Sequence, residues 1–225
     1  MRMLKYWKYD CIALLRKILP VIVLYLLICI YVSLRTRNVA PEEAYRFAGM
    51  TALWGFAYAA VIAVTIIMTI LRFSESMYKE EASFTMSLPL STLELVGEKF
   101  LLALSSVLIL TFIELISSVL FEDLNVIYGP LVYTGEIMAE LMQITMVFAA
   151  VSLGRLWKKH PVIGAFLAFI LLAVIYSALM RNIHVDSLAM YFNHDYGSGE
   201  FIFMVIQLLI YFAVIWYMTD QRTEL

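Results

Sequence analysis

Residues 47–98 read FAGMTALWGFAYAAVIAVTIIMTIL, then RFSESMYKEEASFTMSLPLSTLELVGE. The first half is a continuous apolar run. A helix that crosses a bilayer needs about 20 such residues, and the run is long enough. Membrane-crossing strands instead alternate apolar and polar residues over segments of about 10, which this run does not do. The second half, residues 72–98, is a soluble-looking polar block of 27 residues. In so small a chain, a polar block held between two apolar runs is a place for something outside the membrane to take hold.

Outward from this stretch the apolar pattern repeats. Candidate spans cover residues 18–34, 47–71, 99–121, 131–154, 161–180 and 201–218. Together they use most of the 225 residues, so the expectation is an all-α polytopic membrane protein, one transmembrane domain of six helices over 1–225. Composition agrees: 63% of residues are hydrophobic, 15% are charged and the mean hydropathy is +0.87. Soluble domains carry nearer a quarter charged residues. A net charge of −2 without a basic block excludes a nucleic-acid partner. Cys11 and Cys29 form neither a disulfide framework nor a metal spacing, and read as packing residues. Arg2, Lys5 and Lys8 imitate the start of a signal peptide. The apolar run beyond Ile18, however, is followed by Arg35 and Arg37 with no small-x-small cleavage site, so it reads as an anchor.

Six spans place both termini on one side. That side carries Arg2, Lys5, Lys8, Arg16, Lys17, Arg72, Lys79, Lys99, Arg155, Lys158, Lys159 and Arg222; the other carries Arg35, Arg37, Arg46 and Arg181. The excess makes the termini, residues 72–98 and the short turn 155–160 cytoplasmic by the positive-inside rule. Leu4, Trp7, Cys11, Leu14 and Ile18 recur at helical spacing, with Lys5, Lys8 and Arg16 mostly elsewhere. Residues 3–17 therefore read as an amphipathic helix lying in the membrane interface. The other reading is a cytoplasmic extension of the first span.

Within residues 72–98, Phe73, Met77 and Phe84 fall near one helical face, and Glu75, Lys79, Glu80 and Glu81 lie mostly away from it. Leu88 precedes Pro89 and is pushed toward extended geometry. Ser91-Thr92-Leu93-Glu94 then fits a capping box, in which each side chain bonds the other residue's amide. From Thr92 a helix can run unbroken to near Phe121, about 29 residues or roughly 43 Å, against a hydrocarbon core of about 30 Å. Its first turns should project into the cytoplasm, or the helix must tilt. The product is either a rigid lever beneath the bilayer or an ordinary connection on its surface.

Phe73, Glu75-Ser76, Phe84-Thr85-Met86-Ser87-Leu88-Pro89-Leu90-Ser91, Leu95 and Lys99-Phe100-Leu101 resemble the region between spans two and three of ABC-2-type ABC transporter permeases. Six spans and an amphipathic helix before the first are similar to that family too. The resemblance implies a permease subunit of an ATP-driven exporter, in a bacterial plasma membrane, with ATP and Mg on separate cytoplasmic ATPase subunits. It also implies a second permease chain, identical or not, to enclose a pathway, and an amphipathic, peptide or lipid-like substrate, antimicrobial peptides among them. The sequence agrees that the chain has no motor: no G-x-x-x-x-G-K-[ST] loop is present. In the family, a coupling helix between spans two and three sits in a groove of the ATPase. Phe73, Met77, Tyr78, Phe84, Leu88, Pro89, Leu90, Ser91 and Glu94 are accordingly expected to give ATPase contact or shape. The turn 155–160 is either a second contact or a cationic anchor to lipid headgroups.

Glu114 lies in the third span; Glu136, Glu140 and Gln143 lie in the fourth. Carboxylates in hydrocarbon are costly and usually face a bundle interior or water. These four residues are candidates for a polar outer cavity that receives a cationic or amphipathic substrate. Alternatively they bond to neighbouring helices, with Arg46 as one partner, or are protonated. His184, Asp186, His194 and Asp195 match no metal spacing, and no bound metal or cofactor is expected. Glu42, Glu43 and Arg46 superficially resemble the motif of glutamate-histidine intramembrane proteases, but the spacing is one residue short and the intramembrane histidine pair is missing. No residue reads as catalytic. The competing function is a non-transporting scaffold or sensor that binds a soluble protein through residues 72–98.

Overall fold

The computed structural model describes residues 2–36, 44–78, 90–120, 130–182 and 198–223. Among these stand α1 (Arg2–Thr36), α2 (Ala44–Tyr78), α3 (Thr92–Leu120), α4 (Pro130–Gly154), α5 (Pro161–Asn182) and α6 (Ser198–Thr223), with no strand. Each contains a stretch long and apolar enough to cross a membrane, which makes the chain a multi-pass membrane protein of all-α class. Helix starts follow local chemistry. Pro130 and Pro161 are the first residues of α4 and α5, where a fixed φ suits the helix and the missing N–H is not needed. The hydroxyls of Thr69, Ser76, Ser106, Thr111, Thr145 and Thr219 bond carbonyls three or four residues back in their own helices. A polar side chain is thereby satisfied without water.

The helices form two halves. One is α1, α2 and α3; the other is α4 with α5 and α6 on either flank. The halves meet where α3 touches α4 and α6, and where α2 touches α4. α4 is the hub: 61% of its apolar stretch is buried, against 6% for that of α5. The outer face of α5 exposes Val162, Phe166, Leu171 and Val174, a surface that only lipid or another apolar body can cover. Between the halves, Phe73 of α2 stacks on Phe148 of α4 with ring centroids 4.0 Å apart and planes 5° from parallel. Phe100 of α3 meets Phe212 of α6 edge-on at 4.9 Å.

Residues 3–17 are continuous with the first span: α1 runs unbroken through them and past Pro20. The apolar face read from the sequence turns inward over its later turns, while Leu4 at its start is exposed. Leu14 and Ile18 are buried against Leu102 of α3. Trp7 Nε1 donates to Leu101 O at 3.2 Å and to Ser105 Oγ at 2.9 Å. With 35 residues, α1 is roughly 52 Å long at helical rise, far longer than the hydrocarbon core of about 30 Å.

Candidate functional site

The polar block expected at the end of α2 begins and ends on one charged cluster. Arg72 opens it on α2, and Glu98-Lys99 close it on α3. Asp10, two turns into α1, bonds both sides. Arg72 Nε and Nη2 donate to Asp10 Oδ1 at 3.0 and 2.7 Å. Lys99 Nζ donates to Asp10 Oδ2 at 2.6 Å and pairs with Glu98 Oε2 at 2.7 Å. Glu98, Lys99 and Asp10 are 1%, 2% and 7% exposed. Removing such charges from water costs several kcal/mol per ion unless they are paired and fully hydrogen-bonded; here two carboxylates meet two cations, while Glu98 Oε1 is buried with no hydrogen-bond partner among the described residues. A weaker pair, Lys17 with Glu75 at 3.9 Å, repeats the α1–α2 link. The two feet of residues 72–98 are thus bolted together through α1.

On the far side of the same end, α2 is tied to α4. Tyr78 donates to Ser152 Oγ at 2.7 Å. Arg155 Nη2 donates to Tyr78 O at 2.9 Å, and its guanidinium lies 4.7 Å over the Tyr78 ring. The sixth helix joins as well, through the hydrogen bond between Thr92 Oγ1 and Asp220 Oδ1 at 3.1 Å. These contacts gather the start of α1, the end of α2, the start of α3, the α4–α5 turn and the end of α6 at one end of the bundle.

The expected coupling residues divide. The capping box forms as read: Ser91 N–H donates to Glu94 Oε2 at 3.0 Å, and Glu94 N–H donates to Ser91 Oγ at 3.2 Å. Leu90 is half-buried and Ser91 exposed at the start of α3. Phe73 and Met77 are fully buried and Tyr78 nearly so, all in the cluster shared with α4. In the single chain these three residues give shape rather than a contact surface, because α4 already covers the face they share. Phe84, Leu88 and Pro89 lie outside the described residues.

The intramembrane candidates lie nearer the opposite end. Glu114 of α3 and Glu140 of α4 both lie within electrostatic reach of Tyr58 of α2. Trp54 stacks beside Tyr58, with centroids 6.2 Å apart and planes 8° from parallel. Its indole N–H donates to Tyr25 Oη at 3.0 Å, and Tyr25 in turn donates to Ser117 Oγ at 3.0 Å. Glu114 and Glu140 are therefore brought together around one tyrosine, as sequence-adjacent spans allowed. Gln143 is exposed although Glu140, one turn away, is half-buried. Glu136 stands on α4, but its side chain and that of Arg46 lie outside the described residues, as do His184, Asp186, His194 and Asp195.

Sequence reasoning missed Asp10 and the aromatic set Tyr25, Trp54 and Tyr58. An acid beside Lys8 in an amphipathic stretch was the one local signal for Asp10. Among the described residues, no group of three or more His, Cys, Asp or Glu is placed to hold a metal. Cys11 and Cys29 are free thiols. Compared with known proteins, the chain matches no family model, no curated protein and no solved structure.

Proposed function

We propose that this chain is the membrane-spanning subunit of an ATP-driven exporter of the ABC-2 type, driven by a separate ATPase that docks on residues 72–98. The observation that carries the reading is the Asp10 cluster. An ordinary surface connection has no need of buried charge at its feet. A lever does, because force applied at its tip must reach α1, α2 and α3 together. The capping box supports the same reading: it starts α3 firmly at Thr92, so the helix that leaves the segment is continuous with a membrane span. The resemblance of residues 73–101 to the coupling region of those permeases supplies the partner.

In this proposal both termini are cytoplasmic in a plasma membrane, and the first half of α1 is the cytoplasmic extension of its span. ATP and Mg belong to the partner. A second permease chain completes the pathway. Glu114, Glu140 and Tyr58 offer acidic and hydroxyl groups beside the Trp54 ring, which suits the cationic part of an amphipathic substrate. The test is co-purification of the tagged chain in mild detergent with an ATP hydrolysis assay on the eluate. The native chain should bring down a nucleotide-binding protein and its activity, and Phe84→Ala with Leu90→Ala should lose both. A well-folded native chain that recovers no ATPase in several detergents would replace the exporter by the scaffold or sensor.

A further inference from the structure

The Asp10 cluster shares its donors unevenly. Asp10 accepts two N–H groups from Arg72 and one from Lys99. Glu98 meets the same Lys99 ammonium through Oε2, at 2.7 Å. Its other oxygen, Oε1, is buried and has no hydrogen-bond partner among the described residues. An ionised carboxylate offers about four acceptor sites, and a buried ion that leaves them empty bears a large desolvation cost. A neutral carboxyl in the same place bears much less, and its Oε2 can still accept from Lys99. Neutralising Glu98 leaves Asp10 facing two cations. The surplus positive charge is screened at Arg72, whose side chain is 19% exposed.

The groups around Glu98 come from three helices. Asp10 and the Cys11 thiol stand on α1, both within electrostatic reach of it. Arg72 joins from α2 through Asp10, and Lys99 is its neighbour on α3. The other charged groups described at this end have partners of their own: Lys17 pairs with Glu75, Asp220 of α6 bonds Thr92, and Arg155 bonds Tyr78 O. The start of α1 covers the same turn of α3, since a Cβ on Gly97 would lie 3.4 Å from Met3 Sδ. Glu98 is the last residue of the segment read as cytoplasmic. Burial pushes its carboxyl up from 4.5 to about 7; Lys99 pulls the other way, and Asp10 adds to the rise.

We propose that Glu98 takes up a proton on Oε1 and that this proton locks the junction of α1, α2 and α3. With the proton in place, Lys99 has a single anion to serve, Asp10, and the three helices are clamped together. Without it, two carboxylates compete for one ammonium and the clamp loosens. The lock rests on the cluster alone and stands whether or not an ATPase docks nearby. In an exporter it would set how firmly the coupling segment is footed. The unfolded chain releases this proton above about 4.5, the folded chain only above about 7. The stability that the proton supplies is therefore full below the first value and is lost as pH rises through the second.

The test is thermal unfolding of the purified full chain in a neutral detergent, scanned from about pH 5 to about pH 9. The native midpoint should fall as pH passes through neutrality. Glu98→Gln and Glu98→Met, uncharged throughout, should lose that fall and part from the native chain only at the alkaline end. Glu75→Gln, which removes a carboxylate from the looser Lys17 pair, should keep the native profile. Parallel profiles for the native chain and the Glu98 variants would overturn the lock. Both variants imitate the protonated acid, so failure of both to fold at acid pH would overturn it too. Infrared difference spectra give a direct reading: a protonated-carboxyl C=O band should titrate near neutrality in the native chain and be missing from the variants. The same band in native chain and variants alike would assign the proton elsewhere and remove Glu98 from the account.

Discussion

Asp10 receives one cation on each carboxylate oxygen, Arg72 from α2 and Lys99 from α3. Breaking one partner of a buried pair leaves the other charge uncompensated, at a cost of about 3–5 kcal/mol. Asp10→Asn should therefore destabilise the bundle by about 3 kcal/mol or more in detergent unfolding. Lys99→Met should do similarly, while the double variant should cost clearly less than the sum, since residues in one network couple. Simple additivity would mean that the geometry carries no coupling energy. The cluster was hidden in the sequence for a plain reason: the partners of Asp10 are 62 and 89 residues away. Arg72 and Lys99 read as two topology-setting cations because nothing local shows that an aspartate on another helix binds them. Phe73 and Met77 were legible on one apolar face for the opposite reason, since periodicity is local. What covers that face is tertiary, and it turned out to be α4.

At the scale of elements, the start of α3 was readable to the residue. A capping box needs only four consecutive positions, and Ser91 and Glu94 close it in the structure as the spacing required. The course of α1 was less readable. An amphipathic stretch looks the same whether its apolar face meets lipid or another helix, and Trp7 chose α3. The α4–α5 crossing offers a sharp comparison of two glycines. Gly154→Ala puts a methyl against backbone atoms of α5 that cannot swing aside, with Ala165 Cα 2.6 Å away. It should cost about 1–3 kcal/mol, the usual penalty of overpacking, seen as a lower unfolding midpoint. Gly55→Ala meets nothing within 4 Å, and should be neutral or gain a few tenths of a kcal/mol from helix propensity. Equal effects at the two positions would deny the close crossing. Two glycines in an apolar chain look alike in sequence; only the helix opposite distinguishes them.

Across the whole molecule, six apolar runs and their order were legible, because hydrophobic length is a one-dimensional property. The division into two halves, the hub position of α4 and the meeting of Glu114 with Glu140 at Tyr58 were not, because they depend on which helices touch. The central claim is that residues 72–98 form a lever, footed on Asp10, through which a soluble ATPase moves the bundle. The most direct measurement places a photo-crosslinker on a cysteine at position 90, in a chain carrying Cys11→Ala and Cys29→Ala, within membrane vesicles whose cytoplasmic face is outward. A second chain carries the label at exposed position 34, near the opposite end of α1. The account predicts an adduct with a nucleotide-binding protein from position 90 only, its yield changing when MgATP is added. Adducts with lipid alone, or equal protein adducts from both positions, would contradict it.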